Sequence, residues 1–152
     1  MLAVAARKAS VAGGSAPRFI QGDAMRLPFP DAHFDIVTVG YGLRNLVSWE
    51  IGLREMVRVA KPGARLLVLD FGKPDNPRWR AVYFTYLRCF VPLLGLLVCQ
   101  NASAYAYILE SLRHYPAQRG VEARMRGLGL IQVRVENFLG GAMSINYGVK
   151  SK

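Results

Sequence analysis

The sequence predicts an α/β fold, an open and mostly parallel sheet with helices on both faces. Phe34–Val39 (FDIVTV) and Arg65–Asp70 (RLLVLD) are near-continuous β-branched and aliphatic runs, the pattern of parallel strands covered on both sides. Between them Leu53, Met56, Val57 and Ala60 recur at helical spacing. Strand, helix and strand in that order make the right-handed unit from which doubly wound sheets are built.

The remaining elements follow in chain order. Met1–Ala9 has a helical composition, with Leu2, Ala5, Ala6 and Ala9 on one side and Arg7 and Lys8 on the other. Val11–Pro17 is a small-residue loop around Gly13 and Gly14, and Arg18–Gln21 reads as a short strand ended by Gly22-Asp23. Leu27–Asp31 (LPFPD) must be irregular, because Pro28 and Pro30 each remove a donor and restrict the residue before them. After the strand that ends at Gly40, Ser48 is placed to cap the next helix with Glu50 in its first turn, and Lys61-Pro62-Gly63 is expected to stop it. A loop from Gly72 to Pro77 follows the second strand.

Trp79–Val98 and Ser103–Tyr115 are helical and aromatic-rich without strand patterning, and they read as an insertion over the ligand edge of the sheet. Val121–Leu128 is a helix ended by Gly129, and Ile131–Val135 with Ala142–Val149 forms an antiparallel strand pair. The chain shows no internal repeat and no low-complexity linker.

A chain of 152 residues fits one domain with a substantial core. Its charge of +10 is uneven: Arg78, Arg80, Arg88, Arg113, Arg119, Arg124, Arg126 and Arg134 face only Glu110 and Glu122 in the same region. Nucleic acid is not the expected partner, because the chain has no base-stacking motif, Cys/His finger or helix-turn-helix spacing. Cys89 and Cys99 lack a CxxC pair or a histidine cluster, so neither a metal site nor a disulfide framework is expected, and a reducing cytoplasm suits them. The apolar run between them falls short of the ~20 residues that span a bilayer and is broken by Pro92 and Gly95, which leaves a buried or an interfacial helix. The start of the chain has no convincing cleavage region, so no signal peptide is expected.

Ligands of open α/β sheets bind beyond the carboxyl ends of the strands, here Asp23-Ala24, Gly40–Asn45 and Asp70–Lys73. Asp23 can accept from an exocyclic amine or cap the turn before Met25, and spacing does not separate the two. Gly40 and Gly42 admit close approach of backbone to ligand, or simply a tight turn. Arg44 supplies a fixed cation with a fork of donors, and Asn45 supplies donor and acceptor, both suited to a phenolic oxygen. His114 can exchange protons near neutrality, although nothing in the sequence pairs it with a carboxylate, and His33 sits in a turn. Tyr83, Phe84, Tyr86, Leu87, Phe90, Leu93 and Leu94 form apolar stripes that suit either a core or a tunnel wall.

Five blocks in order, GDAMRLPFPD, FDIVTVGYGLRN, LREMVRVAKPGARLLVLDFGKP, YILESLRHYP and NFLGGAMSINYGVK, resemble the family that C-methylates polyprenyl quinols in menaquinone and ubiquinone synthesis with S-adenosylmethionine (SAM). The Tyr41–Asn45 run, YGLRN, is the most specific of them. The resemblance implies a Rossmann-like class I SAM methyltransferase sheet that lacks its first two strands and glycine-rich loop. Residues 1–152 then form one partial domain, with 78–116 as a helical substrate-side insertion. It further implies Asp23, Ala24 and Gly40 as cofactor contacts, with Gly40 acting by position only because many members carry serine there. Arg44 and Asn45 become the catalytic pair, and Tyr41, Arg113, His114 and Tyr115 lie on the substrate side.

The implied reaction is an in-line displacement at the sulfonium methyl by a ring carbon whose neighbouring hydroxyl loses its proton. Positioning and a cation beside the forming phenolate would lower its barrier. A guanidinium does not give up its proton in proteins, so Arg44 acts through a water relay or by its charge rather than as a direct base. The resemblance implies a SAM cofactor, no metal, a demethylmenaquinol-like substrate and a cytoplasmic protein on the inner face of the membrane, with room for peripheral association and for a homodimer. Without the loop that holds the methionine and ribose of SAM, the chain alone is expected to be inactive. Two other readings stay open: a non-catalytic quinone-side binding or assembly protein, and a methyltransferase for another phenolic or lipophilic acceptor.

Overall fold

The computed structural model describes residues 17–93 and 103–152. Its centre is a four-stranded mixed sheet. Strand β1 (Phe34–Gly40) runs parallel to β2 (Ala60–Phe71), and helix α1 (Trp49–Val59) makes the crossover between them. Strands β3 (Leu130–Phe138) and β4 (Met143–Lys150) complete it in the order β1-β2-β4-β3, with β4 antiparallel to both of its neighbours. The expected C-terminal pair is therefore present, and its second strand inserts beside β2. Helix α2 (Pro77–Thr85) runs into a π turn at Tyr86–Phe90, and α3 (Ser103–His114) and α4 (Ala117–Gly127) follow.

Helix α1 starts as expected: the Ser48 hydroxyl accepts from the Ile51 N–H at 3.3 Å, and Glu50 lies in the first turn. Leu53 and Met56 then enter the core. The helix does stop before Lys61-Pro62-Gly63, yet these residues open β2 instead of a loop. They form a bulge between the Phe34↔Ala60 and Ile36↔Arg65 pairs, and Gly63 takes a φ of +81° that a side chain would strain. The Lys150 ammonium donates to the Val57 and Ala60 carbonyls at 2.8 Å, which satisfies acceptors at the carboxyl end of α1.

Burial favours one face of the sheet. Val37 and Val39, Leu66 and Val68, and Ser144 and Asn146 share that face, and register places them side by side. They meet Leu53, Met56, Leu112, Val121 and Met125 in a single core. Among the described residues the opposite face is less covered: Ile36 is 54% exposed, and Leu67, Leu69, Ile145 and Tyr147 are half-buried. Among the described residues, the expected cover on both faces is complete on one. The helix expected over Met1–Ala9 lies outside the described residues, as do Val11–Ala16, Leu94 and the end of the Trp79–Val98 helix.

Arg18–Gln21 is exposed coil where a strand was expected. No described strand lies beside it, so its backbone groups gain nothing from extension into a ladder. The Leu27–Asp31 loop is irregular, as its prolines require, and Arg58 of α1 holds it in place. That guanidinium donates to the Leu27 carbonyl at 3.0 Å, the Phe29 carbonyl at 2.9 Å and Asp31 at 2.7 Å. Glu55 braces the same guanidinium and accepts from the Leu27 N–H at 2.9 Å, and these donors hold its carboxyl below the ordinary range.

Arg58→Ala is therefore expected to free this loop with the sheet intact. Hydrogen exchange at Leu27 should quicken and proteolysis within 26–31 should increase, while the β1 and β2 amides keep their protection; unchanged exchange at Leu27 would show that the prolines alone hold the loop.

Candidate functional site

The carboxyl ends of β1 and β2 bring together two loops that the sequence places 26 residues apart. After Gly40 the chain turns sharply: Tyr41 sits at a φ of +55°, and residues Leu43–Asn45 form a 3-10 turn anchored by the buried Leu43 side chain. This turn points Arg44 back across the end of β2. Its Nη1 meets Asp70 Oδ1 at 2.5 Å and donates to the Tyr41 carbonyl at 3.1 Å, and its Nε donates to the Ser111 hydroxyl of α3 at 3.2 Å. The guanidinium also stacks over the Phe71 ring, 4.9 Å from its centroid. Both members of the ion pair are withdrawn from water, with side-chain exposures of 5% and 4%.

Asp70 accepts from the Phe71 N–H at 2.9 Å and faces the Arg44 N–H at 3.4 Å, besides the guanidinium. Burial pushes its carboxyl above the ordinary range, and the Arg44 charge opposes that shift. Asn45 stays exposed, donates to the Tyr41 carbonyl at 3.0 Å and accepts from the Tyr107 hydroxyl. Tyr115 follows α3 and is buried against Trp49, and its hydroxyl has no hydrogen-bond partner among the described residues. Burial and the Asp70 charge push that phenol upward, while Arg44 pulls it down, which places Tyr115 within the field of the ion pair.

On the other side of Phe71 lies an apolar cavity of about 300 Å³ (290 Å³), lined by Phe71, Tyr83, Tyr86, Leu87, Val91, Ile108, Leu139, Ala142 and Met143. Tyr83 is fixed there by donating to the Ala142 carbonyl at 3.1 Å, and Tyr41 approaches Met143 through its hydroxyl at 3.9 Å. The loop after β2 is pinned underneath. Gln118 of α4 is buried, accepts from the Lys73 N–H at 2.8 Å and donates to the Lys73 carbonyl at 2.7 Å. Gly72 lies so close to the β3–β4 turn that a Cβ there would meet the Gly141 oxygen at 2.3 Å.

The profile of the ubiE/COQ5 methyltransferase family matches residues 1–150. The chain belongs to this family. The curated relatives agree: it is 47% identical over 133 residues to the ubiquinone/menaquinone biosynthesis C-methyltransferase UbiE of Ectopseudomonas mendocina, and 46% identical over 133 residues to that of Azotobacter vinelandii. These alignments cover 88% of this chain but 52% and 53% of the relatives, so the chain spans about half the length of the curated relatives it matches. Among solved structures it is similar to a SAM-dependent methyltransferase of Aquifex aeolicus, with a TM-score of 0.63 at 18% identity, over 97% of this chain and 62% of that one. It is likewise similar to a SAM-dependent methyltransferase of Thermotoga maritima, with a TM-score of 0.63 at 18% identity over 95% and 70% of the two chains. The fold is that of the class I SAM-dependent methyltransferases.

Within that fold the predicted family residues fall into three groups. Arg44, Asn45 and Tyr41 come together at the end of β1, whereas Tyr115, just after α3, packs against Trp49. Arg113 and His114 lie on the outer side of α3, 57% and 81% exposed at the side chain, where Glu110 pairs with Arg113 at 3.3 Å and approaches His114 at 3.7 Å. Asp23 is exposed and its Oδ1 accepts from the Met25 N–H at 2.8 Å, so it makes the turn that spacing allowed. Ala24 borders an apolar cleft of about 300 Å³ along the outer edge of β1, with Leu27, Val37, Val39, Leu43 and Met56. Beside Gly40 a Cβ would meet nothing within 4 Å, so this side of the turn is open.

Sequence reasoning placed Asp70 and Ser111 in the right segments and assigned neither to Arg44. The available signal was a lone acid at the end of an otherwise apolar strand: a carboxylate there must find a cation, and Arg44 is the cation of the neighbouring loop.

Removing one member of this pair strands the other. Asp70→Ala is expected to lower the unfolding free energy by about 3 kcal/mol, read from urea titration. In Arg44→Ala the Asp70 carboxyl loses the charge that opposes its upward shift. A carboxyl raised in the folded state is most favourable when protonated, so the stability gap between this variant and the parent chain should narrow as pH falls from 7 toward the ordinary aspartate value of 3.8. A constant gap across that range would show that Asp70 does not titrate with Arg44.

Proposed function

We propose that the complete domain of which this chain forms a part transfers a methyl group from SAM to a ring carbon of a polyprenyl quinol, a naphthoquinol of the demethylmenaquinol type. The observation that carries this reading is the fixed, dry Arg44 guanidinium stacked on Phe71, the ring that also lines an apolar cavity on its other side. A quinol presents the matching surface, a flat apolar ring bearing an oxygen that becomes anionic during reaction.

The residues present fit one end of the cofactor. Ala24, the cleft along β1 and the open side of Gly40 suit a flat, apolar group such as adenine, and Asp23 supplies a carboxylate beside it. SAM, when bound, supplies the electrophilic methyl. The work of this chain lies on the acceptor side. Asp70, Ser111 and Phe71 hold Arg44 in one orientation before substrate arrives, so its charge needs no reorganisation as the oxygen becomes negative. Arg44 Nη2 donates to nothing among the described residues and is the edge of the fork left for that oxygen. Tyr83, Tyr86 and Leu87 exclude water from the ring, which strengthens the same interaction.

The reading assigns the methionine and ribose of SAM to the remainder of the domain. By itself the chain is then a quinone-side module without turnover. A non-catalytic quinone-binding protein is the second reading, favoured by a cavity that is formed within this half of the domain.

Calorimetry separates the readings. The 152-residue chain should release no heat with millimolar SAM yet still bind a short-chain naphthoquinol, whereas SAM binding to the chain alone would overturn the assignment of the cofactor site. In a full-length enzyme Arg44→Ala should lower kcat by about a hundredfold or more, with little change in the KM for SAM. Unchanged turnover would remove Arg44 from the mechanism.

A further inference from the structure

From Asn76 to Leu109 the chain carries no aspartate or glutamate, and its charges in that stretch are Arg78, Arg80 and Arg88. Within this stretch residues 77–93 are helical, and only Tyr83 and Leu87 of that helix are buried. Val82, Tyr86 and Phe90 follow one another at four-residue steps along its outer side and are 57%, 47% and 58% exposed. All three border one open depression. Leu139, from the turn between β3 and β4, adds to this surface at 74% exposure; it is held against the helix by the Trp79 indole, which donates to its carbonyl at 3.0 Å.

Several arginines elsewhere on the molecule are neutralised. Arg113, Arg119 and Arg126 each meet a carboxylate within 3.3 Å. Among the described residues Arg78, Arg80 and Arg88 meet none. Three cations without an ion pair among the described residues, flanking an apolar ridge, are complementary to a lipid leaflet in which phosphates lie above hydrocarbon.

We propose that α2 and its π-turn extension lie on an anionic bilayer, with Val82, Phe90 and Leu139 in the acyl boundary and Arg78, Arg80 and Arg88 at the phosphates. The proposal rests on the quinol-methylating reading and deepens it. Tyr86 borders both the outer depression and the inner cavity that Phe71 and Met143 close. A quinol dissolved in the leaflet would therefore pass along Tyr86 toward Arg44 without its tail entering water.

Flotation of the purified chain with vesicles tests this without cofactor or quinol. The chain should float with equimolar phosphatidylglycerol and phosphatidylcholine, and stay at the bottom of the gradient with phosphatidylcholine alone. Arg78→Glu combined with Arg88→Glu should lower partitioning by about thirtyfold or more, and Val82→Glu by about tenfold, with the circular dichroism and thermal midpoint of the parent chain retained. Three results would overturn the proposal: no flotation with the anionic vesicles, equal flotation with both lipids, or folded variants that float like the parent. Sedimentation showing a lipid-free dimer that Val82→Glu dissociates would assign the face to a second copy instead. In the full-length enzyme the double arginine variant should methylate a short-tailed, soluble quinol at the parent rate and a long-tailed quinol in vesicles more slowly. A full-length enzyme that methylates neither quinol, beside vesicle binding that behaves as described, would overturn the reaction and leave the docking face standing.

Discussion

The Arg44–Asp70 pair is the constraint around which the ligand edge is arranged. Two charges removed from water are tolerable only when they satisfy one another and their remaining hydrogen-bonding groups. Asp70 therefore takes the Arg44 guanidinium and the Phe71 N–H, and Arg44 takes Asp70, the Tyr41 carbonyl and the Ser111 hydroxyl. Each bond recruits a different element: the loop after β1, the end of β2 and α3. The pair thus ties helix α3 to the sheet. The left-handed turn at Tyr41, which a side chain adopts only at some cost, is held in place by the same network.

A second latch lies at the other end of the same loop and contains no charge. Gly72 approaches the Gly141 oxygen more closely than any side chain would allow, and its N–H donates to the Ala142 carbonyl at 2.9 Å. Gln118 serves both backbone groups of Lys73, and its own carbonyl accepts from the buried Asn146 amide at 2.8 Å. One side chain thereby satisfies a loop that has left the sheet and has no strand neighbour. With Arg44 above it and Gln118 below, the segment Asp70–Lys73 is fixed at both ends. That fixity keeps Phe71 between the charge and the apolar cavity.

Local patterns carried much of this fold in readable form. The β1 and β2 runs, the Ser48 cap, the Leu53 and Met56 stripe and the antiparallel C-terminal pair are each set by a periodicity or a capping residue within a few positions, and each is found. What escaped depends on groups distant in sequence. Arg58 clamping the proline loop, Asp70 meeting Arg44 and Gln118 holding Lys73 are pairings across tens of residues, with no spacing rule to reveal them. Arg18–Gln21 failed for a related reason. Its composition permits a strand, but a strand exists only against a neighbour, and none is present among the described residues. The site shows the same division: the glycines and Arg44 were legible as a loop motif, whereas the outward position of Arg113 and His114 depends on which side of α3 packs inward.

Under the proposed reading, the protonation states of the buried groups limit what the described residues can contribute to the reaction. Removing a proton from a quinol needs an acceptor that is free and ionised at working pH. Tyr83 is pushed up to about 12 by burial and spends its proton on the Ala142 carbonyl. Tyr115 is pushed up as well, and ionising it beside the Asp70 carboxylate would place two anions together out of water. It remains a neutral donor with an unsatisfied hydroxyl, a group that can hold an oxygen of the ligand but cannot deprotonate it. Asp70 is the best base by chemistry, yet its oxygens are already engaged by Arg44 and the backbone. Among the described residues the open edge of the Arg44 fork is the charged group with capacity to spare. In the proposed reaction its contribution is a charge held in position, which makes the quinol hydroxyl more acidic and lets its proton leave to water.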